Sequence, residues 1–418
     1  MERMLTMIMA GGVGERLRPL TRDRAKSAVP FGGKYRLIDL ALSNCVNSGV
    51  RRILVLTQYR SGSLHMHIEE GWSISHSRLG DYIYCVPPQQ KLGADWYRGT
   101  ADAVRQNLDL IKRRDAERIL LLSGDHVYKM NYLQMLNYHK QHKSQLTIAA
   151  VRVKKREAAR KLGVLEMGQT GKLVGFEEKP AQPKTMAAVP DLCLASMGVY
   201  LFDSEYLKEA LASPGDDFGK HIIPGLLQGE HRIHVYDYEA QNRIDDYTVK
   251  VHGRKRKKVL VNRTSDSGYW RDVGTIDSYY EASMDLLGAE PPFNLYGQNW
   301  LFRTNERPLP PSKCLLGGVV EDSMICDGCL INGGHVSRSI LSPGVTVEEG
   351  AVVEDSILFD DVTVEPGAKI RKAIIDKDCT IQSGVSLGYD VEADQKRGCT
   401  ISEGGIVVVP KSLVVCRA

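Results

Sequence analysis

Three glycines and an arginine near the start of the chain carry the first chemical signal. Ala10-Gly11-Gly12-Val13-Gly14-Glu15-Arg16-Leu17 follows a short apolar run, and Lys26 comes soon after in Asp23-Arg24-Ala25-Lys26. A glycine-rich turn between a strand and a helix exposes backbone N–H groups, and these bind phosphate. The pattern is not the dinucleotide fingerprint, whose third glycine would fall at Leu17. Nor is it a P-loop, which needs Gly-Lys-Ser/Thr after the glycines. Arg16 and Lys26 beside the loop suit a triphosphate or a departing pyrophosphate. For the glycines alone a plain tight turn has even weight; the two cations tip the balance to a phosphate site.

Carboxylates follow at comparable places. Asp125 ends the apolar run of "LLSGDHVYKM", and Asp272 lies in "YWRDVGT". Together they suit Mg²⁺, which takes few protein carboxylates and keeps phosphate oxygens as further ligands. The competing role for Asp125 is a helix N-cap. In "FEEKP", Glu178 and Lys179 suit sugar hydroxyls and a sugar phosphate, against the bland alternative of a solvated charge cluster. "DWYRGTADAV" joins Trp96 and Tyr97 to Gly99-Thr100, which can start a helix at Ala101 or simply form a packing corner. His126 fits a supporting or packing role better than that of a general base.

These residues need a scaffold. Apolar runs predict strands at Leu5–Ala10, Arg52–Thr57, Tyr82–Val86, Ile119–Ser123, Leu146–Val153 and Val199–Phe202. Ala101, Val104, Leu108 and Ile111 recur at helical spacing, and Tyr132 to His142 reads as another helix. Strand and helix in alternation predict an α/β fold with a mostly parallel sheet covered on both faces. Ligands bind such sheets beyond the strands' carboxyl ends, which points to Gly11, Gln58, Gln89 and Asp125.

Prolines punctuate the chain from Pro291 to Pro311, and a repeat follows. "PGVTVEEGA", "DDVTVEPGA" and "KDCTIQSGV" lie 17 residues apart, each preceded by an apolar pair: Ile340-Leu341, Ile357-Leu358 and Ile374-Ile375. Three short strands per turn, each with one inward residue, predict a parallel β-helix of hexapeptide type. The inward set reads as Ile340, Val345, Ala351 and their equivalents 17 and 34 residues on, and Met324, Cys329 and His335 predict an earlier coil 16 residues before. The expected organisation is a catalytic domain over 1–290, a linker over 291–312 and the β-helix over 313–418.

Bulk composition narrows the class. Apolar residues make up 43% and charged residues 25% of 418, with a net charge of +4. This balance fits a globular protein and gives no support to nucleic-acid or membrane binding. Apolar runs fall short of the roughly 20 residues of a membrane span. Nine cysteines, an odd and scattered set, suit reduced thiols and a cytoplasmic setting. Cys326 and Cys329 lack a second pair with zinc-ligand spacing.

The chain resembles the bacterial ADP-glucose pyrophosphorylases (glucose-1-phosphate adenylyltransferases) over nearly its whole length. The resemblance rests on "AGGVGERLRPLT", "RAKSAVPFGGKYRLIDLALSNCVNSG", "WYRGTADAV", "GDHVYKM", "EEKP", "LASMGVY", "YWRDVGT" and the hexapeptide repeat. It implies a Rossmann-like nucleotidyltransferase domain, a left-handed β-helix, and synthesis of ADP-glucose and pyrophosphate from ATP and glucose 1-phosphate for glycogen synthesis. It implies that Gly11, Gly12, Gln89, Gly99 and Thr100 meet the nucleotide. Arg16, Lys26 and Asp125 would be catalytic, and Asp125 and Asp272 would hold Mg²⁺. Tyr97, Gly163, Glu178, Lys179, Ser196 and Asp272 would hold glucose 1-phosphate, while Gln58 and Trp96 pass on an activator signal. A homotetramer regulated by phosphorylated metabolites is also implied.

Two departures stand out. Asp23 replaces a lysine that helps many enterobacterial-type members bind a sugar-phosphate activator. A carboxylate repels a bisphosphate, which argues against fructose 1,6-bisphosphate as the main activator. The run Arg254 to Lys258 in "HGRKRKKV" reads as a solvated surface loop between strands, or as an anion site for an effector or a neighbouring subunit. Two rival functions are a nucleotidyltransferase for UTP, GTP or dTTP and a catalytically silent regulatory subunit. The presence of Arg16, Lys26, Asp125 and Asp272 weighs against the second. An acyltransferase role for the repeat has little beyond His335 to support it.

Overall fold

The first apolar run is the middle of a sheet. In the computed structural model, which describes residues 3–73, 80–88, 96–187, 189–252 and 255–417, Met4–Ala10 lies between Arg118–Ser123 and Arg52–Thr57 and parallel to both. Tyr82–Val86 continues the parallel set beside Arg52–Thr57. Because strand side chains alternate, Met4, Ile8 and Ala10 join one apolar cluster and Leu5 and Met7 another. Helices Leu37–Asn47 and Tyr132–Gln141 supply the first cluster; Thr100–Arg105 and Ser204–Ala212 supply the second.

The nine-stranded sheet changes direction at Leu192–Asp203, which runs antiparallel to both Arg118–Ser123 and Leu146–Lys154. This strand is far longer than the predicted Val199–Phe202. Its register slips between Ser196 and Tyr200, around Gly198 at φ 65°. The bulge interrupts the apolar pattern, which is why only the second half is legible as a strand. The predicted helix through Ala101 and Ile111 is also two helices, Thr100–Arg105 and Leu108–Arg113. Asn107 breaks it: its side chain bonds back to the Ala103 carbonyl at 2.8 Å and to the Tyr97 hydroxyl at 2.9 Å.

The expected loop at Arg254–Lys258 is different in kind. Lys255–Val261 is a strand, paired antiparallel with Asp246–His252, so the described part of the basic run lies within a hairpin rather than in a loop.

The repeat folds as three parallel ladders of six, five and six strands, the last ending in an antiparallel pair. Ile340, Ile357 and Ile374 are stacked neighbours, as the 17-residue period requires. They do not point inward. Leu341, Leu358 and Ile375 fill the solenoid interior, whereas Ile340, Ile357 and Ile374 pack with Phe31, Tyr279 and Phe359 against the N-terminal part. The apolar pair therefore serves two cores, one residue to each, because adjacent strand residues face opposite ways. The earlier coil begins 16 residues back at Met324, as expected, but His335 pairs with Val352, so Gly334 takes the inward corner assigned to His335. A Cβ on Gly334 would lie 2.6 Å from Val347 Cγ1, so the corner has no room for a larger residue.

The expected linker, residues 291–312, packs against the first part of the chain. Phe293, Trp300 and Phe302 are buried, and the segment is bonded to the helix Leu37–Asn47. Trp300 Nε1 donates to Asn44 Oδ1 at 2.9 Å, the Arg303 amide to Ser43 Oγ at 2.9 Å, and Thr304 Oγ1 to Asp39 Oδ2 at 2.7 Å. Among the described residues no helix is long and apolar enough to cross a membrane.

Candidate active site

The glycine turn leaves Met4–Ala10 at its carboxyl end. Gly14 has φ 67°, and its carbonyl accepts from Thr21 Oγ1 at 2.8 Å, which curls the chain back toward Lys26. A Cβ on Gly14 would meet Thr21 Cγ2 at 3.0 Å and Lys26 Cβ at 3.1 Å, whereas nothing lies within 4 Å of one on Gly12. Gly12 thus opens to a cavity of about 390 Å³, lined also by Gly11, Gln58, Tyr97, Gly99, Thr100, Asp125 and Asp217. This is the size and concavity of a small-ligand site.

Lys26 lies between two carboxylates. Its Nζ is 2.7 Å from Asp125 Oδ2 and 3.3 Å from Asp272 Oδ1. Burial alone pushes the Lys26 ammonium down, but the two carboxylates outweigh it and the value is raised. Burial likewise pushes Asp125 up, and Lys26, His126 and the Ser123 hydroxyl together hold it below the ordinary carboxylate range. Asp125 is therefore a charged acceptor and not an acid. Trp270–Asp272 pairs with His126–Tyr128, which brings Asp272 beside Asp125. His126 Nε2 is 3.7 Å from Asp125 Oδ1 and 3.8 Å from Asp272 Oδ1, while Nδ1 bonds the Met197 carbonyl at the bulge at 3.1 Å. Two convergent carboxylates around a cation fit the donor set of Mg²⁺ with phosphate oxygens as its other ligands.

Arg16 does not line this cavity. It lies across Asp272: a Cβ on Gly274 would sit 3.1 Å from both Arg16 Nη2 and Asp272 Oδ2. Both residues open onto an adjoining cavity of about 760 Å³.

Glu178, Lys179, Gly163 and Ser196 form a second cluster. The Ser196 amide donates to the Gly163 carbonyl at 2.8 Å, and the Lys179 amide to Leu162 at 3.2 Å. The Glu178 carboxylate fills the space above Gly163 and Gly219, where added Cβ atoms would lie 2.8 and 2.6 Å from its Oε2. Lys179 Nζ is 3.3 Å from Glu178 Oε1 and half-exposed. Asp217 links the two clusters: it accepts from Thr100 Oγ1 at 3.3 Å and from the Gly219 amide at 2.9 Å.

With this geometry in hand, the chain can be compared with known proteins. Residues 5–288 match the nucleotidyl transferase model, and residues 311–409 match that of the GlmU-like C-terminal hexapeptide. It is 47% identical over 423 residues to glucose-1-phosphate adenylyltransferase 2 of Vibrio parahaemolyticus, covering 99% of each chain. The chain belongs to the glucose-1-phosphate adenylyltransferases. The glucose-1-phosphate adenylyltransferase of Anaeromyxobacter dehalogenans is 46% identical, with 99% of this chain and 98% of that one covered. That of Rhodopirellula baltica is 44% identical, covering 99% of this chain and 91% of its own.

Within this member of the glucose-1-phosphate adenylyltransferases, Tyr97 is buried, its hydroxyl accepting from Asn107, and its carbonyl accepts from Gln58 Nε2 at 3.3 Å. Trp96 is 57% exposed and lies outside the cavity wall. Gln89 lies outside the described residues. Asp217 escapes a motif search because its neighbours, Asp216 and Phe218-Gly219, read as an ordinary N-cap. It does cap the turn Phe218–Ile222, and only the fold brings it to Thr100.

Proposed function

We propose that this chain transfers the adenylyl group of ATP to α-D-glucose 1-phosphate, releasing ADP-glucose and pyrophosphate for α-glucan synthesis. The observation that carries the reading is Lys26 held between Asp272 and Asp125, the latter a wall residue of the glycine-turn cavity, with the Glu178–Lys179 cluster joined to that cavity through Asp217. The cavity of Gly11, Gly12, Gly99 and Thr100 receives the nucleotide. Glu178 and Ser196 take sugar hydroxyls, and Lys179 takes the sugar phosphate. A phosphate oxygen of glucose 1-phosphate attacks the α-phosphorus, that P–O bond forms, and the bond to the β-phosphate oxygen breaks with its electron pair leaving on pyrophosphate.

The attacking oxygen is already anionic, so no general base is needed. The chain's task is to bring two polyanions together and neutralise charge, as positioning and fixed dipoles do in other phosphoryl transfers. Lys26 and Arg16 supply positive charge on the leaving-group side. Mg²⁺, held by Asp125 and Asp272, would supply further charge neutralisation at the phosphates when bound. Tyr97 and Gln58 close the cavity wall. Gln58, in contact with Gly11, and the exposed Trp96 are placed to relay an effector signal. Asp23 lacks the charge that a lysine would bring and instead occupies the guanidiniums of Arg22 and Arg60, which favours effectors less anionic than a bisphosphate. Assembly as a homotetramer in the cytoplasm, with domains over 1–290 and 313–418, completes the proposal.

Incubation of the purified chain with glucose 1-phosphate and each of ATP, UTP, GTP and dTTP tests the reading directly. Pyrophosphate release with ATP well above the others is expected; preference for another triphosphate would overturn the assignment. Repeating the assay with fructose 6-phosphate, fructose 1,6-bisphosphate, pyruvate, AMP and phosphate tests the regulation.

A further inference from the structure

The segment that carries Lys26 is held by the solenoid. Arg24, two residues earlier, donates from Nη2 to Asp376 Oδ1 at 2.8 Å and from Nη1 to Asp376 Oδ2 at 3.0 Å. Both side chains are buried, at 7% and 2% exposure. Nη1 also bonds the Leu20 carbonyl at 3.1 Å, and the Lys377 amide bonds Asp376 Oδ1 at 2.7 Å. The fork-to-carboxylate match fixes the guanidinium in plane and in distance. From Arg24 the chain passes through buried Ala25 into the single turn Lys26–Ala28. No freely rotating segment separates the pair from the catalytic lysine.

The other side of the site is held by the same end of the solenoid. Asp277, five residues after Asp272, accepts from Ser402 Oγ at 2.6 Å and from the Gly404 amide at 3.0 Å. Lys26 and Asp272 are therefore each anchored, within five residues, to the closing coils of the repeat. A buried ion pair adds little net stability over an apolar substitute, but it fixes geometry where its partners' positions matter.

We propose that Arg24–Asp376 is a positioning pair, by which the closing coils set the place of Lys26 Nζ between Asp125 and Asp272. Arg24 and Asp376 touch no substrate and act through Lys26. This rests on the adenylyl-transfer reading for the role given to Lys26, and it makes the solenoid part of the support of the active site.

The test is a double-mutant cycle on ATP binding, followed by calorimetry with the full chain. Asp376→Asn keeps the shape and removes the charge; Arg24→Lys keeps the charge and removes the fork, and serves where the first variant fails to fold. Each is expected to raise the Kd for ATP about tenfold, and to add less than about twofold when Lys26 is already alanine. An unchanged Kd with a lowered melting temperature would overturn the proposal, since the pair would then be structural only. So would an equal tenfold rise in the Lys26→Ala background. A chain that binds ATP yet releases no pyrophosphate with glucose 1-phosphate overturns the functional reading alone and leaves this comparison of Kd values readable.

Discussion

Asp272 and His126 are cross-strand partners in a two-stranded antiparallel ribbon, with His126 Nε2 3.8 Å from Asp272 Oδ1. Asp125 precedes His126, so one ribbon sets both carboxylates. Residues far apart in sequence thereby acquire a separation as fixed as that of neighbours in a sheet. Lys26 spans them, and its ammonium offsets the repulsion between two partly buried anions.

Asp125→Asn is expected to lower kcat roughly 10²–10³-fold, the scale of losing one preorganised charge, while the protein still folds. The Asp125 carboxyl is depressed, so its stabilising effect is present above the unfolded value of about 3.9 and is lost as pH falls through the native value. Melting curves of wild type and variant should differ at neutral pH and converge in strong acid. Retained turnover would remove Asp125 from the mechanism.

Lys179→Ala is expected to raise the KM for glucose 1-phosphate about tenfold or more, with the KM for ATP nearly unchanged, as for loss of one charge-assisted contact. Lys179 is half-exposed, and among the described residues its close ion partner is Glu178, so the fold should not suffer. Steady-state kinetics with each substrate varied in turn decide this. A raised KM for ATP alone would move Lys179 to the nucleotide.

Gly163→Ala tests the second cluster through space rather than charge. The new methyl would lie 2.7 Å from Phe176 Cζ and 2.8 Å from Glu178 Oε2, so Glu178 must move. Displacement by about 1 Å is expected to cost up to about a hundredfold in kcat/KM for glucose 1-phosphate. ATP binding measured by calorimetry should be unaffected.

Ile374→Ala and Ile375→Ala should each lower stability by about 2–5 kcal/mol in urea titrations, although the two side chains point in opposite directions. One leaves a hole between solenoid and catalytic part, the other inside the solenoid. A loss below about 1 kcal/mol at Ile374 would mean that its face is solvated and the two parts are not packed.

Much of the scaffold could be read before any coordinates, because its signals are local. The apolar run Leu5–Ala10 marks a strand, and the spacing of Ile340, Ile357 and Ile374 marks a solenoid. Physical reasons limit the rest. The bulge at Gly198 hides half a strand by breaking its pattern. Asn107 ends a helix through a side-chain bond that helical spacing does not reveal. The direction of Ile340 depends on a second surface, which periodicity within the repeat does not contain. At the site, Gly14, Arg16, Lys26 and Asp125 stand out by type and context, whereas Asp217 becomes a candidate only once the fold sets it beside Thr100. The Arg24–Asp376 contact joins residues more than three hundred positions apart, and no local pattern announces it.

The strand Leu192–Asp203 has one more consequence for specificity. Before its bulge, Ser196 is bonded to Gly163 in the proposed sugar cluster; after it, Val199 pairs with Leu122, next to the Asp125 loop. One strand thus runs from the proposed sugar cluster to the neighbour of the Asp125 loop, and the residues between Ser196 and Val199 set the spacing of the two. One residue inserted or deleted there would shift that spacing by about 3.3 Å, as much as the roughly 3–3.5 Å across which reacting atoms must meet.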